Sequence, residues 1–470
     1  MNRLYDALPV TAQNLACTWE GYRRGRARYT KHFHRTLKKW HKTLHASLEE
    51  LHEYQRTRLD ELVETARSSV PYYEDLPPSS EAKDPLQAIQ ETLARIKPLE
   101  KLSYRNASEK FVSTRIPRSR LQMNFTGGTT GTALPIFYTS ESLAEEYATV
   151  WRLRNEQNCR ILDSNLTFNG QSVVPFSQSE APFWRHNAYG RQTLFSVYHM
   201  TPRNLRCYID AIQRSRAKYV QGYPSALHLV GRAMIEAGQT LPEGTLKAVF
   251  TSSESLLAFQ REAIEEAFGT RVWDRYGSGE FSVSMTECEL GNLHVDMEFC
   301  IVEVEIEEET ETYERGSFMV TGLSNSATPL FRYRIGDSGT RLKQPCPCGR
   351  AGDVFLDVDG RNEDFIMTPD GRLVGRLDHI FKKQVDILEA QIRQDSKEAV
   401  EILIVPDRDY TVQSEGKVVK EVRRRLGDEI HIDIRVVNSI PRERNGKFRA
   451  VKSTIGRMEN ADPLKSVETA

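Results

Sequence analysis

Residues 126–131 form a dense run of glycine and threonine, the composition of a loop that binds phosphate. Glycine lets the backbone turn sharply and approach a ligand closely, so successive N–H groups can point at one anion while threonine hydroxyls supply further donors. Thr132 stands where a Walker loop would have lysine, which argues against P-loop chemistry. The alternative is a plain hairpin turn. The run predicts a triphosphate site, and its residues are Thr126, Gly127, Gly128, Thr129, Thr130 and Gly131.

Polar residues follow short apolar runs in the middle of the chain. Tyr223 follows one run, and Ser252, Ser253 and Glu254 follow another. Because open α/β sheets bind ligands at the ends of their strands, both places are candidate ligand contacts.

Tyr276 and Glu280 flank a flexible glycine-rich turn. The aromatic ring can stack on a base, while the carboxylate can hold Mg²⁺ that bridges phosphates. The alternative is a polar turn without a ligand.

Two later segments carry charges in turns. Arg332 and Arg334 precede Asp337, whose carboxylate can accept hydrogen bonds from a ribose diol; the alternative is a surface salt bridge. Residues 441–447 form a loop bounded by proline and glycine, with Lys447 at its tip. A flexible ammonium on such a loop suits a charge that enters a site only when needed, although a solvated lysine is the alternative.

Four residues have the chemistry of a zinc site. Cys346 and Cys348 present two thiols in a tight turn, and Cys288 and His294 lie upstream. Together they make a Cys₃His tetrahedral set, which leaves no open position and is therefore structural. The spacing fits no standard finger, and the alternative is three buried cysteines with a surface histidine. The other cysteines are predicted to fill the core, namely Cys17, Cys159, Cys207 and Cys300.

Length and composition limit the class of protein. A chain of 470 residues exceeds one hydrophobic core, so two or more domains are expected. The formal net charge of -1 argues against a nucleic-acid partner. Seven cysteines without a cleavable leader favour a reducing compartment, and no long apolar run predicts a membrane span. We therefore expect a cytoplasmic protein.

The first hundred residues read as a helical arm, because apolar residues recur at three- and four-residue spacing from about residue 12 to residue 67. Its first part is strongly basic and carries interleaved aromatic residues. A solvated face is one interpretation, and peripheral contact with an anionic membrane or polymer is the other.

The remainder of the chain predicts an α/β fold. Strand-like and helical runs alternate from about residue 102 to residue 359, which is typical of a large, partly parallel sheet core. Residues 361–470 contain a compact α+β module with the size of a small mobile domain. The predicted domains are therefore 1–100, 101–360 and 361–470.

Together these pieces resemble the adenylate-forming superfamily of acyl-CoA synthetases, and within it the branch of phenylacetate-CoA ligases and CapK proteins. The matching pieces follow the family's order over nearly the whole chain: 126–131, 222–225, Tyr276 with Glu280, 332–337, 360–371 and 446–447. Residues 364–372 and the basic N-terminal segment are more similar to CapK proteins than to phenylacetate ligases.

The resemblance implies a role for each candidate residue in binding ATP. Residues 126–131 would hold the β- and γ-phosphates, residues 252–254 and Tyr276 would flank the adenine, and Glu280 would hold Mg²⁺. Asp337 would bind the ribose hydroxyls, Arg361 would support the nucleotide, and Lys447 would neutralise charge at the α-phosphate. The chain departs from the family at Thr132, where lysine is frequent, and at the hinge residue Glu363, where aspartate is usual.

The resemblance also implies a reaction. A small-molecule carboxylic acid would attack ATP to give an acyl-adenylate, and the acyl group would pass to CoA, an amine or a sugar, in surface-polysaccharide or secondary metabolism. One alternative is transfer of AMP to a cofactor hydroxyl. Another is a non-catalytic nucleotide-binding scaffold in capsular polysaccharide assembly. Dimers are common among relatives, and the helical arm is a candidate surface for a homodimer.

Overall fold

The computed structural model describes residues 3–125, 134–175, 177–359, 366–369, 373–374, 377–380, 386–442 and 449–455. The predicted phosphate run 126–131, Arg361, the hinge residue Glu363 and Lys447 lie outside the described residues. Their roles stay predictions.

Helices cover most of the first hundred residues and recur between the strands of the core. Local sequence sets several of their starts: the Thr30 hydroxyl accepts from the Phe33 backbone, and Ser47 and Glu50 form a capping box. The described helices are α1 (Arg3–Asp6), α2 (Val10–Arg28), α3 (Lys31–Thr43), α4 (Leu48–Ser69), α5 (Pro85–Ala94), α6 (Lys101–Ala107), α7 (Ser140–Glu156), α8 (Pro202–Arg214), α9 (Pro224–Glu236), α10 (Ala258–Phe268) and α11 (Val412–Leu426).

The described strands begin after the first hundred residues. They are β1 (Gln122–Phe125), β2 (Pro135–Tyr138), β3 (Asn165–Asn169), β4 (Trp184–Asn187), β5 (Gln192–Ser196), β6 (Tyr219–Gly222), β7 (Ala248–Ser252), β8 (Val272–Gly277), β9 (Ser284–Glu287), β10 (Leu293–Val295), β11 (Cys300–Glu309), β12 (Tyr313–Gly322), β13 (Tyr333–Leu342), β14 (Val354–Asp359), β15 (Ile366–Met367), β16 (Leu373–Val374), β17 (Ile387–Ser396), β18 (Ala399–Pro406), β19 (His431–Val436) and β20 (Val451–Ser453).

Twelve strands form one large sheet in the order β11-β12-β13-β14-β10-β9-β8-β7-β6-β3-β5-β4. Strands β5, β3, β6, β7 and β8 run parallel to one another. Strand β4 pairs antiparallel with β5, and the strands from β9 to β11 also pair antiparallel, beginning with β8 and β9. Separately, β1 pairs with β2, so Phe125 and Pro135 face each other at the two ends of the undescribed phosphate run. The predicted α/β class with a partly parallel sheet is confirmed.

The N-terminal helices form a layer on the core. Phe33, Trp40 and Leu59 are buried in the same hydrophobic cluster as Trp151 of α7 and Phe318 of β12. The charged residues between them made this buried apolar face difficult to predict from the sequence. These helices therefore pack against the core and do not project from it, and the predicted domain boundary at residue 100 stays a prediction.

The C-terminal module has its own sheet and core. Its four strands are ordered β19-β18-β17-β20, and α11 covers them through Val418 and Val422. The helix begins at Val412 because the Thr411 hydroxyl caps it. The predicted α+β module is confirmed. No helix in the described part of the chain is long and apolar enough to cross a membrane.

Candidate active site

Three parallel strands bring predicted site residues to one edge of the large sheet. Gly222 of β6 pairs with Thr251 of β7, and Ser252 of β7 pairs with Arg275 of β8. The carboxyl ends of β6, β7 and β8 therefore lie side by side. Tyr223, residues 252–254 and the turn after Gly277 leave the sheet at this edge, which is where open α/β sheets bind ligands.

Tyr276 and Asp337 contact each other directly. The Tyr276 hydroxyl donates to Asp337 Oδ2 at 2.5 Å, although the two residues are 61 positions apart. Asp337 is buried on β13, and the Tyr276 ring packs edge-on against Phe318. The structure thus joins the residues predicted to contact the adenine and the ribose.

Arg332 and Arg334 form salt bridges, which was the predicted alternative to a ligand contact in this segment. Arg332 Nε donates to both carboxylate oxygens of Glu303, at 3.1 and 3.0 Å. Arg334 pairs with Glu305 through Nε at 2.8 Å and also with Glu100. Both arginines therefore form salt bridges to carboxylates of β11, and within this segment Asp337 is the residue that contacts Tyr276.

Glu280 lies in the turn after β8 and is 3% exposed. Its Oε2 atom has no hydrogen-bond partner among the described residues. Burial raises the pKa of Tyr104, and the charge of Glu280 adds to the rise, which places the carboxylate near that ring. Burial of a carboxylate oxygen without a hydrogen-bond donor costs free energy. A hard cation such as Mg²⁺, which prefers oxygen ligands, would satisfy this oxygen.

Three residues beside the predicted site have left-handed backbone conformations without being glycine. The φ angles are 73° at Ser253, 58° at Phe281 and 44° at Arg332. Such conformations are uncommon for these residue types, and they concentrate at functional sites. Ser253 precedes Glu254 and Phe281 follows Glu280, so the strain lies where predicted ligand contacts leave the sheet.

Glu254 has a structural partner that the sequence did not reveal. Its Oε2 accepts a hydrogen bond from the Ser225 backbone N–H at 3.1 Å, in the first turn of α9. Acceptors at this position satisfy an otherwise unpaired helix N–H. The predicted adenine contact thus also fixes the start of α9.

The C-terminal module meets the core along α9. Arg232 Nη2 donates to both oxygens of Asp407, at 2.7 and 2.6 Å, and Arg408 lies 3.7 Å from Glu236. Burial raises the pKa of Glu389 in the module, the Arg442 guanidinium opposes that rise, and the charge of Glu254 adds to it. The sequence carried no signal for these contacts beyond the spacing of Arg232 and Glu236 on one helix face.

The four predicted zinc ligands converge. Their ligating atoms all lie within 4.8 Å of one another. Cys288 Sγ is 3.9 Å from Cys346 Sγ, and Cys348 Sγ is 3.3 Å from His294 Nε2. Two thiolates on a tetrahedral zinc, each at about 2.3 Å, are about 3.8 Å apart, so the donor set fits zinc.

The protonation of His294 also suits a metal ligand. Burial lowers the pKa of His294 to about 4, and the positive charge of Arg350 contributes to the shift. The imidazole is therefore neutral near pH 7, which is the form that binds metals. The alternative of a surface histidine is wrong, because His294 is buried.

The remaining cysteines pack into apolar surroundings to different degrees. Cys159 and Cys300 are buried in the main hydrophobic cluster, as predicted. Cys17 and Cys207 are half-buried at the margins of smaller clusters.

Comparison with solved structures defines the class of fold. The 2-hydroxyisobutyryl-CoA ligase in its postadenylation state, in complex with R3-HIB-AMP, has a TM-score of 0.64 at 19% identity; the match covers 87% of this chain and 90% of that protein. The same ligase in its thioesterification state has a TM-score of 0.52 at 18% identity, covering 89% and 93%. The chain has the fold of the adenylate-forming ligases.

Comparison with sequences points to the CapK branch. The family model described as the CapK C-terminal domain matches residues 366–454. Protein CapK of Staphylococcus aureus is 25% identical over 458 residues, which are 96% of this chain and 98% of that protein. Indoleacetate–lysine synthetase of Pseudomonas savastanoi is 28% identical over 205 residues, 42% of this chain and 45% of that enzyme. The predicted resemblance to the adenylate-forming superfamily and its CapK-like branch is confirmed.

Proposed function

We propose that this protein uses ATP to adenylate a carboxylic acid. The observation that carries the proposal is the buried carboxylate of Glu280, which has one oxygen that no described residue satisfies. Glu280 lies in the turn that follows β8, the strand that contains Tyr276. Mg²⁺ held by Glu280 would satisfy that oxygen and neutralise phosphate charge, and the nucleoside of ATP would bind at Tyr276 and Asp337. The fold shared with adenylate-forming ligases supports the same reaction class.

The nucleotide would lie across the carboxyl edge of β6, β7 and β8. Tyr276 and residues 252–254 would flank the adenine, Asp337 would accept from the ribose hydroxyls, and Arg361 would support the nucleotide. Residues 126–131 would hold the β- and γ-phosphates, and Glu280 would hold Mg²⁺, which neutralises phosphate charge when bound.

The reaction would begin at the α-phosphate. A carboxylate oxygen of the acid attacks phosphorus, the bond to the bridging oxygen breaks, and pyrophosphate leaves with that electron pair. Lys447 would stabilise the negative charge that develops between the carboxylate and the α-phosphate, an effect that is strong in a water-excluded site. The product is an acyl-adenylate.

A second nucleophile would then receive the acyl group after the small domain rotates near Glu363. The relatives include CoA ligases and an enzyme named for joining indoleacetate to lysine, so both a thiol and an amine have support as acceptors. A sugar hydroxyl is the third candidate.

The similarity to Protein CapK favours a second candidate function, a nucleotide-binding scaffold in capsular polysaccharide assembly. A chain released from catalysis need not keep both Glu280 and Lys447, so their presence favours the enzyme. Transfer of AMP to a cofactor hydroxyl is the enzymatic alternative, and it would need no acid.

A panel of aryl, fatty and sugar acids tests the proposal. We expect at least one acid to stimulate pyrophosphate release from Mg-ATP well above the rate without acid. If no acid does so, and Lys447→Ala leaves the basal rate unchanged, adenylation is the wrong function.

Removing the Tyr276 hydroxyl tests the nucleoside contact. The Tyr276→Phe variant loses one hydrogen bond to a carboxylate, so we expect the KM for ATP to rise about tenfold while the KM for the acid is unchanged. Tyr313→Phe is the matched control, because the Tyr313 hydroxyl donates to Glu308 at 2.8 Å on the exposed surface. Equal effects of both variants on the KM for ATP would contradict a nucleoside site at Tyr276.

We also propose that Cys288, His294, Cys346 and Cys348 bind a structural zinc ion. The convergence of four zinc-preferred donors in a mostly buried cluster supports the proposal. The site ties the β9–β10 hairpin to the turn that leads into β14, at a distance along the chain of more than fifty residues. Such a crosslink stabilises the fold and leaves no position for a substrate.

Metal analysis of the purified chain should find one zinc ion per protein. We expect Cys348→Ser to lose the ion and to lower the unfolding temperature by about 5–10 °C, because metal binding contributes directly to folding free energy. Cys207→Ser is the control, since Cys207 is half-buried on α8 and takes no part in the cluster. A metal-free native protein, or equal melting of both variants, would exclude the zinc site.

A further inference from the structure

The outer face of α2 carries an apolar stripe that no described residue covers. Leu15, Trp19 and Tyr22 recur at spacings of four and three residues, which places them on one side of the helix. Leu15 is 72% exposed and Trp19 is 66% exposed. Large apolar side chains in a contiguous exposed row are characteristic of an interaction site.

Contacts on an adjacent face fix the orientation of α2. Asn14 Oδ1 accepts from the His186 backbone N–H at 2.8 Å, and Thr18 Oγ1 accepts from the Ala188 backbone N–H at 3.0 Å. Gly21 meets the Asn187 side chain so closely that a Cβ atom would lie 2.3 Å from it. The helix is therefore held against the edge strand β4, and Leu15 and Trp19 of the apolar stripe stay exposed beside that contact.

Aromatic rings and arginine extend this stripe. Trp19 and Tyr22 have ring centroids 5.7 Å apart, and Tyr189 continues the row at 5.4 Å from Tyr22. The Arg26 guanidinium lies 5.8 Å from the Tyr22 ring, and Arg23 is exposed and paired with Glu20 at 2.7 Å. Tryptophan and tyrosine beside cationic side chains are the residues that favour the boundary between lipid tails and headgroups.

The next helix adds a basic stripe. Lys31, Arg35, Lys38 and Lys42 occupy one side of α3, and all four are exposed. The opposite side is buried through Phe33, Leu37 and Trp40. None of the four cations pairs with an acidic residue in the described part of the chain, and the sequence has no acidic residue between Glu20 and Glu49.

We propose that α2 and α3 form a docking surface for an anionic lipid membrane. The apolar stripe of α2 would enter the headgroup region, and the basic stripe of α3 would attract the lipid phosphates. A second copy of the chain fits less well, because two such basic stripes would repel each other. A polyanion in solution matches the charge but gives the exposed row of Leu15, Trp19 and Tyr22 nothing apolar to contact.

Vesicle binding by the full-length protein tests the surface. We expect sedimentation with phosphatidylcholine vesicles that contain about one third phosphatidylglycerol, and little with phosphatidylcholine alone. The double variant Arg35→Ala with Lys38→Ala should weaken binding by about thirtyfold. The matched control removes the same charge from exposed positions on α11, as Lys417→Ala with Lys420→Ala, and should bind like the native protein.

The apolar stripe has its own variant and its own control. Leu15→Ser should weaken binding by about tenfold, whereas Leu162→Ser, which alters another exposed leucine in a turn, should not. Brominated lipid should quench the fluorescence of Trp19, which is the most exposed of the five tryptophans. The quenching that comes from Trp19 should be absent in the Trp19→Phe variant.

Three outcomes overturn the proposal. One is equal binding to neutral and anionic vesicles, or to neither. Another is an equal loss in the α3 variant and its α11 control. The third is tight binding to dextran sulfate with no quenching by brominated lipid, which would assign the surface to a soluble polyanion.

Discussion

Replacing Glu280 with glutamine is expected to reduce acid-dependent pyrophosphate release by about 10²–10³-fold, because the variant loses the charge that would hold Mg²⁺ on the phosphates. The side chain keeps its size, so the turn after β8 can keep its conformation. Initial rates over a series of Mg²⁺ concentrations provide the measurement, and high Mg²⁺ should recover part of the activity.

The unfolding temperature distinguishes magnesium binding by Glu280 from a purely structural role. The native carboxylate is buried with an oxygen that no described residue satisfies, so neutral glutamine should leave the unfolding temperature unchanged or raise it. Glu262→Gln on the exposed side of α10 is the control and should keep full activity. A Glu280→Gln variant with native rates at every Mg²⁺ concentration would rule out the assigned role.

Replacing Lys447 with alanine is expected to slow adenylate formation by about 10²–10³-fold, because one positive charge at the reacting centre is lost. Acyl transfer from a preformed acyl-adenylate should change little, since the rotation of the small domain near Glu363 would withdraw Lys447 from the site before that step. The two half-reactions can be timed separately by rapid quench.

The control for this variant is Lys417→Ala, which removes a lysine from the exposed face of α11 in the same module. It should leave both half-reactions unchanged. Equal slowing of both half-reactions by Lys447→Ala would point to damage to the module and would contradict a role specific to the first step.

Much of the fold could be predicted because hydrophobic periodicity reports it directly. The apolar runs before Tyr223 and Ser252 correspond to β6 and β7. The N-terminal segment was correctly predicted to be helical, but it was predicted to form an arm, whereas it forms a layer packed on the core. Its buried face alternates with lysine and arginine along α3, so composition suggested solvent where Phe33 and Trp40 in fact pack into the core.

The spatial grouping of candidate residues was predictable where their chemistry is specific. Three cysteines and a histidine at unusual spacing were grouped correctly, because few other arrangements use that set of donors. Tyr276 and Asp337 lie 61 residues apart in the chain, and the structure brings them into hydrogen-bond contact, while their roles as nucleoside contacts stay predictions. Residues 126–131, Arg361 and Lys447 lie outside the described residues and stay predictions.

Features that depend on three-dimensional packing escaped prediction. The hydrogen bond from Ser225 to Glu254 and the ion pair between Arg232 and Asp407 join segments that share no local pattern. The left-handed conformations of Ser253 and Phe281 were equally hidden, because side chains of these types rarely mark such positions. Contacts between distant segments decide these details, and local sequence carries no record of them.

Transfer of ¹⁸O from the acid to AMP tests most directly whether the protein adenylates a carboxylic acid. An acid that stimulates pyrophosphate release is labelled with ¹⁸O in its carboxylate and incubated with Mg-ATP and hydroxylamine, which traps the acyl group. If the carboxylate attacks the α-phosphate, AMP gains one labelled oxygen and an acyl hydroxamate accumulates in equal amount. Unlabelled AMP would show that the carboxylate never bonds to phosphorus, and adenylation of the acid would be contradicted.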